Sequence, residues 1–274
     1  MLPARSRLAT ALGLLQPLWW VLGSALLAIA LLAGLLRWLL VTEEGSRWLL
    51  ARTPQVEATG FSGALLGDHW HAERVRITWA DGRASLTLED LRADGLSWHW
   101  RPHPQAWLGV DVQQLAIRRV TVVSGPPGDR PLPVPLNIAW PVQVAVAQAR
   151  ADELIVDALA PLHNLSLQEL VLDAQPGAEH RVGRVRVDWQ GATIDASARI
   201  GNLAPLPLAV DATVAPTHGG DDPRWAAVLH ASGEAALFDL EATLRGVPRA
   251  GHAAPALDLR AKLQLLQAWP LAGL

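Results

Sequence analysis

The 274-residue sequence contains no cysteine and no tyrosine. Without thiols, a disulfide framework, a thiolate zinc site and a cysteine nucleophile are all excluded. Lysine is nearly absent as well: Lys262 is the only one among many arginines, and tryptophan occurs 13 times. We interpret this usage as the codon bias of a GC-rich bacterial genome. The sequence also has no block of like charges, and a net charge of -3 gives no basic surface of the kind that binds nucleic acid. We therefore expect no nucleic-acid partner.

Charged residues are also few, at 18% of the chain against 50% for hydrophobic residues. A disordered chain needs the opposite balance, so this composition predicts a folded protein. The length is sufficient for one membrane anchor and one or two domains of ordinary size.

A long apolar run lies near the amino terminus. No charged side chain occurs from Leu8 to Leu36, and residues 17–41, interrupted only by Arg37, would form a helix of roughly 37 Å. A bilayer core is about 30 Å thick, so this helix is long enough to span it. We predict a transmembrane anchor at residues 17–42. Its representative apolar residues are Leu18, Trp19, Trp20, Leu26, Ile29, Leu32, Leu36, Trp38 and Leu40.

A cleaved signal peptide is the rival interpretation, because Arg5 and Arg7 precede the run and Ala28-Ile29-Ala30 has the form of a cleavage site. We favour an uncleaved anchor, since residues 31–41 would remain strongly apolar after such a cut. The predicted organisation is a cytoplasmic tail at 1–16, the anchor, a short helical or linker segment at 43–56, and a β-rich body at 57–274. Arginines flank both ends of the anchor, so charge alone does not fix its orientation.

In the body, apolar residues recur at every second position, which places them on one face of a strand. Val75, Ile77 and Trp79 are the first such run, and Asp81-Gly82 after them predicts a hairpin. Similar runs continue to Leu265, and they predict more than ten short strands.

We predict a mainly β fold: one N-terminal transmembrane helix followed by an elongated, curled antiparallel sheet, open and solenoid-like. Periodicity alone also permits a closed sandwich or barrel. No polar closing element is evident near Leu274, so we expect the β body to be truncated there. The candidate residues for an apolar groove are Val75, Ile77, Trp79, Leu86, Leu88, Leu96, Trp98, Trp100, Leu115 and Ile117.

Catalytic and metal-binding patterns are weak throughout the sequence. His69-Trp70-His71 has a spacing compatible with metal ligation, but no further ligand completes a site, so we interpret these histidines as lying at a strand edge. The carboxylates are scattered along polar positions, as expected of a solvated face. We predict no enzymatic activity, no metal site and no cofactor.

Four local signatures resemble the N-terminal part of the TamB-like family, the inner-membrane subunits of the translocation and assembly module, and more loosely the wider AsmA-like bridge-type lipid-transfer proteins. The helix exit Thr42-Glu43-Glu44-Gly45 through Leu49 is similar to the family's Thr-x-x-Gly-x-x-x-Leu. Residues 56–66 lead into Val75-Arg76-Ile77 as in its first hairpin. Residues 91–107 resemble its Leu-x-Trp-x-Trp strand, and a proline-rich stretch precedes Pro141-Val142.

The resemblance implies a bacterial inner-membrane protein with a cytoplasmic N-terminus, a periplasmic body and a long β groove with an apolar interior. It further implies an outer-membrane barrel partner of the TamA type, and phospholipid or outer-membrane β-barrel precursors as cargo. The expected function is support of outer-membrane protein assembly, of phospholipid transport across the periplasm, or of both. The alternative is an anchored structural or adhesive β-domain with a closed core.

Overall fold

A computed structural model describes residues 31, 34–35, 37–79, 82–100, 108–124, 136–157, 159–217, 225–247 and 256–264. Strands make up about 70% of these residues, which confirms the mainly β prediction. Most of the predicted anchor at 17–42 lies outside the described residues. Within the part that is described, no helix is both long and apolar enough to cross a bilayer.

One helix and thirteen strands are described. The helix α1 is Glu43–Leu50, and the strands are β1 (Val56–Thr59), β2 (Ser62–Gly63), β3 (His69–Trp79), β4 (Ala84–Trp100), β5 (Leu108–Val123), β6 (Gln143–Val156), β7 (Leu162–Leu172), β8 (Glu179–Trp189), β9 (Ala192–Gly201), β10 (Pro207–Pro216), β11 (Trp225–Glu234), β12 (Leu237–Gly246) and β13 (Ala256–Gln264).

All thirteen strands form a single open, curled sheet. Neighbours in the sheet follow chain order from β3 to β13, with β1 and β2 both paired to β3 at the first edge. The strands pair antiparallel except at one place, where β5 and β6 are parallel. The predicted open, curled, antiparallel sheet is confirmed, and the parallel β5–β6 pair is an exception within it.

The parallel β5–β6 pair accounts for the long proline-rich connection between these two strands. Parallel neighbours need a connection that returns to the starting end, usually of a dozen or more residues, and residues 124–142 supply it. Both ends of this connection are held by hydrogen bonds. The Ser124 N–H donates to Asp157 Oδ1 at 2.7 Å at one end of the sheet, and the Ile138 N–H donates to the Asn202 carbonyl at 2.9 Å at the other.

Asn202 organises that second end. Its side chain is fully buried, its Nδ2 donates to the Gln175 carbonyl at 2.7 Å, and its Oδ1 accepts from the Gly177 N–H at 2.8 Å. The neighbouring His180 is also buried: its Nδ1 accepts from the Asp173 N–H at 3.0 Å, and its Nε2 lies 2.8 Å from the Ile138 carbonyl. Because Nδ1 accepts, the proton lies on Nε2, and the ring holds the returning chain against the β7–β8 turn.

The strands are longer than predicted, because β4 to β7 each join two or three of the predicted short runs. Where these runs meet, one or two residues on each strand are skipped in the pairing. The register is kept from β3 to β7, and it shifts by one residue between β7 and β8 and between β8 and β9. Arg118 and Arg119, adjacent on β5, both reach Glu89 Oε2, at 3.1 Å and 3.6 Å, so both lie on the same face. The skipped residues form two rows across the sheet: Glu73, Asp90, Arg118, Asp152 and Asn164, and then Gly95, Gln113, Ala147, Glu169 and Gly183.

We call these two rows the bulge rows. At each row the apolar alternation shifts by one residue and then continues. Asp90, Gly95, Asn164 and Glu169 adopt positive φ there, the conformation that lets two consecutive side chains point to one face.

The first edge of the sheet is covered by α1. Thr42 caps the helix by accepting from the Gly45 N–H at 3.1 Å, and its hydroxyl donates to the Trp38 carbonyl at 2.7 Å. A Cβ on Gly45 would lie 2.4 Å from the Trp38 carbonyl oxygen, so only glycine allows the tight turn between residues 37–41 and α1. Arg47 Nε then donates to the Phe61 carbonyl between β1 and β2 at 3.0 Å. In the Thr-x-x-Gly sequence, Thr42 therefore caps α1 and Gly45 allows the close approach to residues 37–41.

We expect Asn202→Ala to lower the free energy of unfolding by about 1–3 kcal/mol, because the backbone groups of Gln175 and Gly177 lose the hydrogen bonds to this buried side chain. Gln175→Ala is the matched control, since that side chain is exposed and only its backbone takes part. Urea denaturation followed by circular dichroism measures both. Equal unfolding midpoints for the two variants would contradict the role assigned to Asn202.

Candidate functional site: the apolar face of the sheet

The pairing register brings the apolar side chains of successive strands onto one face. Val75 lies opposite Leu88, which lies opposite Val120, which lies opposite Leu154. The same succession continues at the far side of the sheet, where Ile200 lies opposite Leu208. We call this surface the apolar face and the opposite surface the polar face. Twelve strands in sequence, at about 4.8 Å spacing, give the apolar face a length of roughly 50 Å.

The apolar face is only half-buried over most of its extent. Val75, Leu88, Val120 and Leu154 all have intermediate exposure, whereas side chains in a sealed core are buried. Among the described residues, strands pack mainly on their sheet neighbours, and the main further packing between elements is that of α1 against β1. No described element forms a second layer over this face.

The ten groove residues predicted from the sequence lie on this one face. Seven of them are half-buried, and Leu96 is buried at 8% exposure. Trp98 and Trp100 are exposed at 44% and 68%. Leu115 and Ile117 join the face because they lie between the two bulge rows, where the alternation is shifted by one residue.

Tryptophan is distributed unevenly over the apolar face. Trp79 and Trp189 end β3 and β8, Trp225 begins β11, and Trp98 and Trp100 lie at the end of β4. Aliphatic residues fill the strand centres between them. The indole N–H groups of Trp79 and Trp189 are buried without an acceptor, which leaves two unsatisfied donors at the margin of this face.

The polar face is held together by cross-strand ion pairs. Glu89, only 17% exposed, lies within 3.6 Å of arginines on both neighbouring strands, and Arg119 Nε donates to Glu153 Oε2 at 2.6 Å. The Glu153 carboxylate raises the pKa of Arg119 above its usual value. The Arg184 guanidinium beside Asp195 lowers the pKa of that carboxyl group. These pairs link β3 to β4, β4 to β5, β5 to β6 and β8 to β9.

His69 and His71, the weak metal candidate, do not meet further ligands in the described structure. His71 Nε2 lies 2.9 Å from Asp90 Oδ1, and this hydrogen bond, with help from Arg92, lowers the pKa of Asp90. Among the described residues, no group of three or more histidine or acidic side chains is arranged to hold a metal ion. Most ion-paired carboxylates on the strands meet a basic side chain of a neighbouring strand, in an arrangement that supports the sheet.

Sequence reasoning missed part of this site. Beyond residue 117 the sequence predicted only further β runs, without groove candidates, yet Val210, Ala212 and Val214 continue the same face. The signal for the bulge rows was also present. Adjacent polar pairs such as Glu89-Asp90, Asp152-Glu153 and Gln168-Glu169 interrupt each apolar alternation and shift it by one position.

Comparison with known proteins gave no match: no protein-family model, no curated protein and no solved structure is significantly similar to this chain. The resemblance to the TamB-like family therefore stays a prediction. What is established is the geometry of one open sheet with a long apolar face.

We expect acid to weaken the sheet through its paired aspartates. The folded-state pKa values of Asp90 and Asp195 are lowered, so their contribution is present above the unfolded value near 4 and is lost as the pH falls through the folded value. Asp195→Asn should therefore lose less stability than wild type between about pH 5 and pH 2.

Asp152→Asn is the matched control for this measurement, because Asp152 is exposed and forms no ion pair with a described residue. It should follow the wild-type pH dependence. Urea midpoints measured across the pH series compare the three proteins. Parallel curves for Asp195→Asn and wild type would show that the Arg184 pair does not contribute to acid sensitivity.

Proposed function

We propose that this protein is an envelope biogenesis factor of the translocation and assembly module type, anchored in the bacterial inner membrane by its N-terminal helix. Its apolar face forms a groove that carries phospholipid, or receives outer-membrane β-barrel precursors, on the way across the periplasm. The observation that carries this proposal is the apolar face itself, which is continuous over the sheet and has no described second layer.

Physical chemistry favours transport over a structural role for such a surface. Soluble proteins rarely leave an apolar area of this extent uncovered, because each exposed Å² costs about 25 cal/mol relative to burial. A face roughly 50 Å long exceeds the ~30 Å thickness of a bilayer core, so whole acyl chains fit on it. Carrying them requires no catalytic group, only a path that excludes water.

The exposed apolar side chains of the N-terminal segment support the proposal of a membrane anchor. Leu31, Leu35 and Trp38 recur at helical spacing, and their side chains are 66%, 53% and 42% exposed. A helix with large apolar side chains facing away from its own domain is typical of contact with lipid. The uncharged sequence from Leu8 to Leu36 continues this character towards the amino terminus.

A structural or adhesive β-domain is the alternative function. It requires the apolar face to be covered, either by parts of the chain outside the described residues or by a partner. The half-exposed state of Val75, Leu88 and Val120 argues for an open face. The two functions differ in what touches these side chains in the cell.

Site-specific photo-crosslinking in the native envelope tests the proposal. A photoreactive amino acid at Ile77, Leu86 or Ile117 on the apolar face should yield phospholipid or precursor adducts, identified by mass spectrometry. The same group at Arg76 or Thr87, on the polar face of the same strands, should not. Exclusively intramolecular adducts from the apolar positions would contradict the proposal and favour the structural alternative.

Leu86→Arg provides the matching functional variant. Leu86 is half-buried between Ile77 and Val122. An arginine there puts a charged guanidinium group on the apolar face, and its long stem lets that group reach water. We expect the variant to accumulate normally and to lose cargo adducts at Ile117. Thr87→Arg, one residue away on the polar face, should retain them. Loss of the Leu86→Arg protein from the membrane fraction would instead indicate a sealed core.

A further inference from the structure

The exposed tryptophans of the sheet are gathered at one end of the strands. Trp98 and Trp100 lie at the end of β4, and Trp140 lies just before β6, with exposures of 44%, 68% and 45%. We call this the Trp100 end. At the opposite end, Trp79, Trp189 and Trp225 are only half-exposed or less. The Trp100 end therefore presents exposed tryptophan side chains, and the opposite end does not.

The N-terminal helical segment joins the sheet at the same Trp100 end. The Leu66 N–H donates to the Leu40 carbonyl at 2.9 Å, and the Leu96 N–H donates to the Asp68 carbonyl at 3.1 Å. Trp98 follows Leu96 by two residues on the same face. The point where the apolar N-terminal segment leaves the sheet is thus separated from the exposed tryptophans by only a few residues of β4.

Tryptophan is the side chain best suited to a membrane surface. Its ring is largely apolar and its N–H is polar, so it is enriched at the level of the lipid headgroups, where both parts are satisfied. Exposed clusters of such residues on a protein surface mark sites of interaction. A bilayer fits this cluster better than a protein partner does, because the neighbouring N-terminal segment is itself apolar and exposed.

We propose that Trp98, Trp100 and Trp140 form a membrane-docking surface that lies in the headgroup region of the bilayer holding the N-terminal helix. This inference rests on the proposed membrane anchor. It implies that the apolar face meets the bilayer along the ends of β4 to β6. The first edge of the sheet is covered by α1, where Arg47 donates to the Phe61 carbonyl, so lipid reaches the face past the tryptophans.

Spin-label depth measurement on the full chain in vesicles of phosphatidylethanolamine and phosphatidylglycerol tests the docking surface. The absence of native cysteine makes single labels unambiguous. Trp98→Cys and Trp140→Cys carry the label at the Trp100 end. Gln190→Cys, in the exposed turn between β8 and β9, is the matched control at the opposite end. We expect labels at 98 and 140 to be accessible to oxygen and shielded from a polar nickel reagent, and the label at 190 to show the reverse.

Equal, water-like accessibility at positions 98, 140 and 190 would overturn the docking surface. A second measurement distinguishes failure of the docking surface from failure of the proposed function. It looks for phospholipid photo-adducts at Leu167, which lies on the apolar face far from Trp98, Trp100 and Trp140. Adducts at Leu167 together with water-like labels at 98 and 140 would remove the docking surface alone. Release of the labelled protein from vesicles by alkaline carbonate would remove the anchor, and with it both proposals.

Discussion

The structure depends on one constraint: a single hydrogen-bonded sheet keeps its pairing register across strands whose side chains must stay segregated by polarity. A slip of one residue would move a strand's apolar side chains to the polar face. At the bulge rows the strands from β3 to β7 skip residues together and keep their register, and the register shifts by one residue at the β7–β8 and β8–β9 pairs. Glu89 and the arginines around it stabilise the first row, because they lie where two consecutive polar residues face the same side.

Stability in this fold comes from within the sheet more than from a packed interior. Backbone ladders and cross-strand contacts link each strand to its neighbours, as in other elongated repeat proteins. Ala72, Ala93 and Ala151 on the apolar face are buried, so small side chains of this face are covered locally. The face itself remains available for contact. The first edge of this open sheet is covered by α1, and the Asn202 and His180 contacts hold the returning chain against the β7–β8 turn.

Much of the fold was predictable from alternation alone. The period of two gave the mainly β class, the polarity of each face and the hairpin between β3 and β4. Strand lengths were not predicted, because Glu89-Asp90 and Gln113-Gln114 looked like strand boundaries when each is a bulge inside a strand. The parallel β5–β6 pair was also missed, since the proline-rich connection carries no local signal for the direction in which the chain returns.

The candidate site was predicted for its first strands and missed for its last. Val75 to Ile117 stood out because leucine, isoleucine and tryptophan mark the face strongly. On β9 to β12 alanine alternates with larger apolar residues on this face, as at Ala196, Ala212 and Ala242, so the pattern is weaker although the register continues it. Burial was beyond sequence reasoning, because alternation shows which face is apolar but not whether a second layer covers it.

Cysteine reactivity on the apolar face tests the central claim most directly. Val185→Cys and Val210→Cys place thiols on the apolar face, and Arg186→Cys and Asp211→Cys place them on the polar face of the same strands. Maleimide labelling of the folded chain in detergent-free membranes compares their rates. An open face predicts that the thiols at 185 and 210 react, and that added phospholipid slows them but not those at 186 and 211. Unreactive thiols at 185 and 210 that label only after unfolding would show a sealed core and contradict the account.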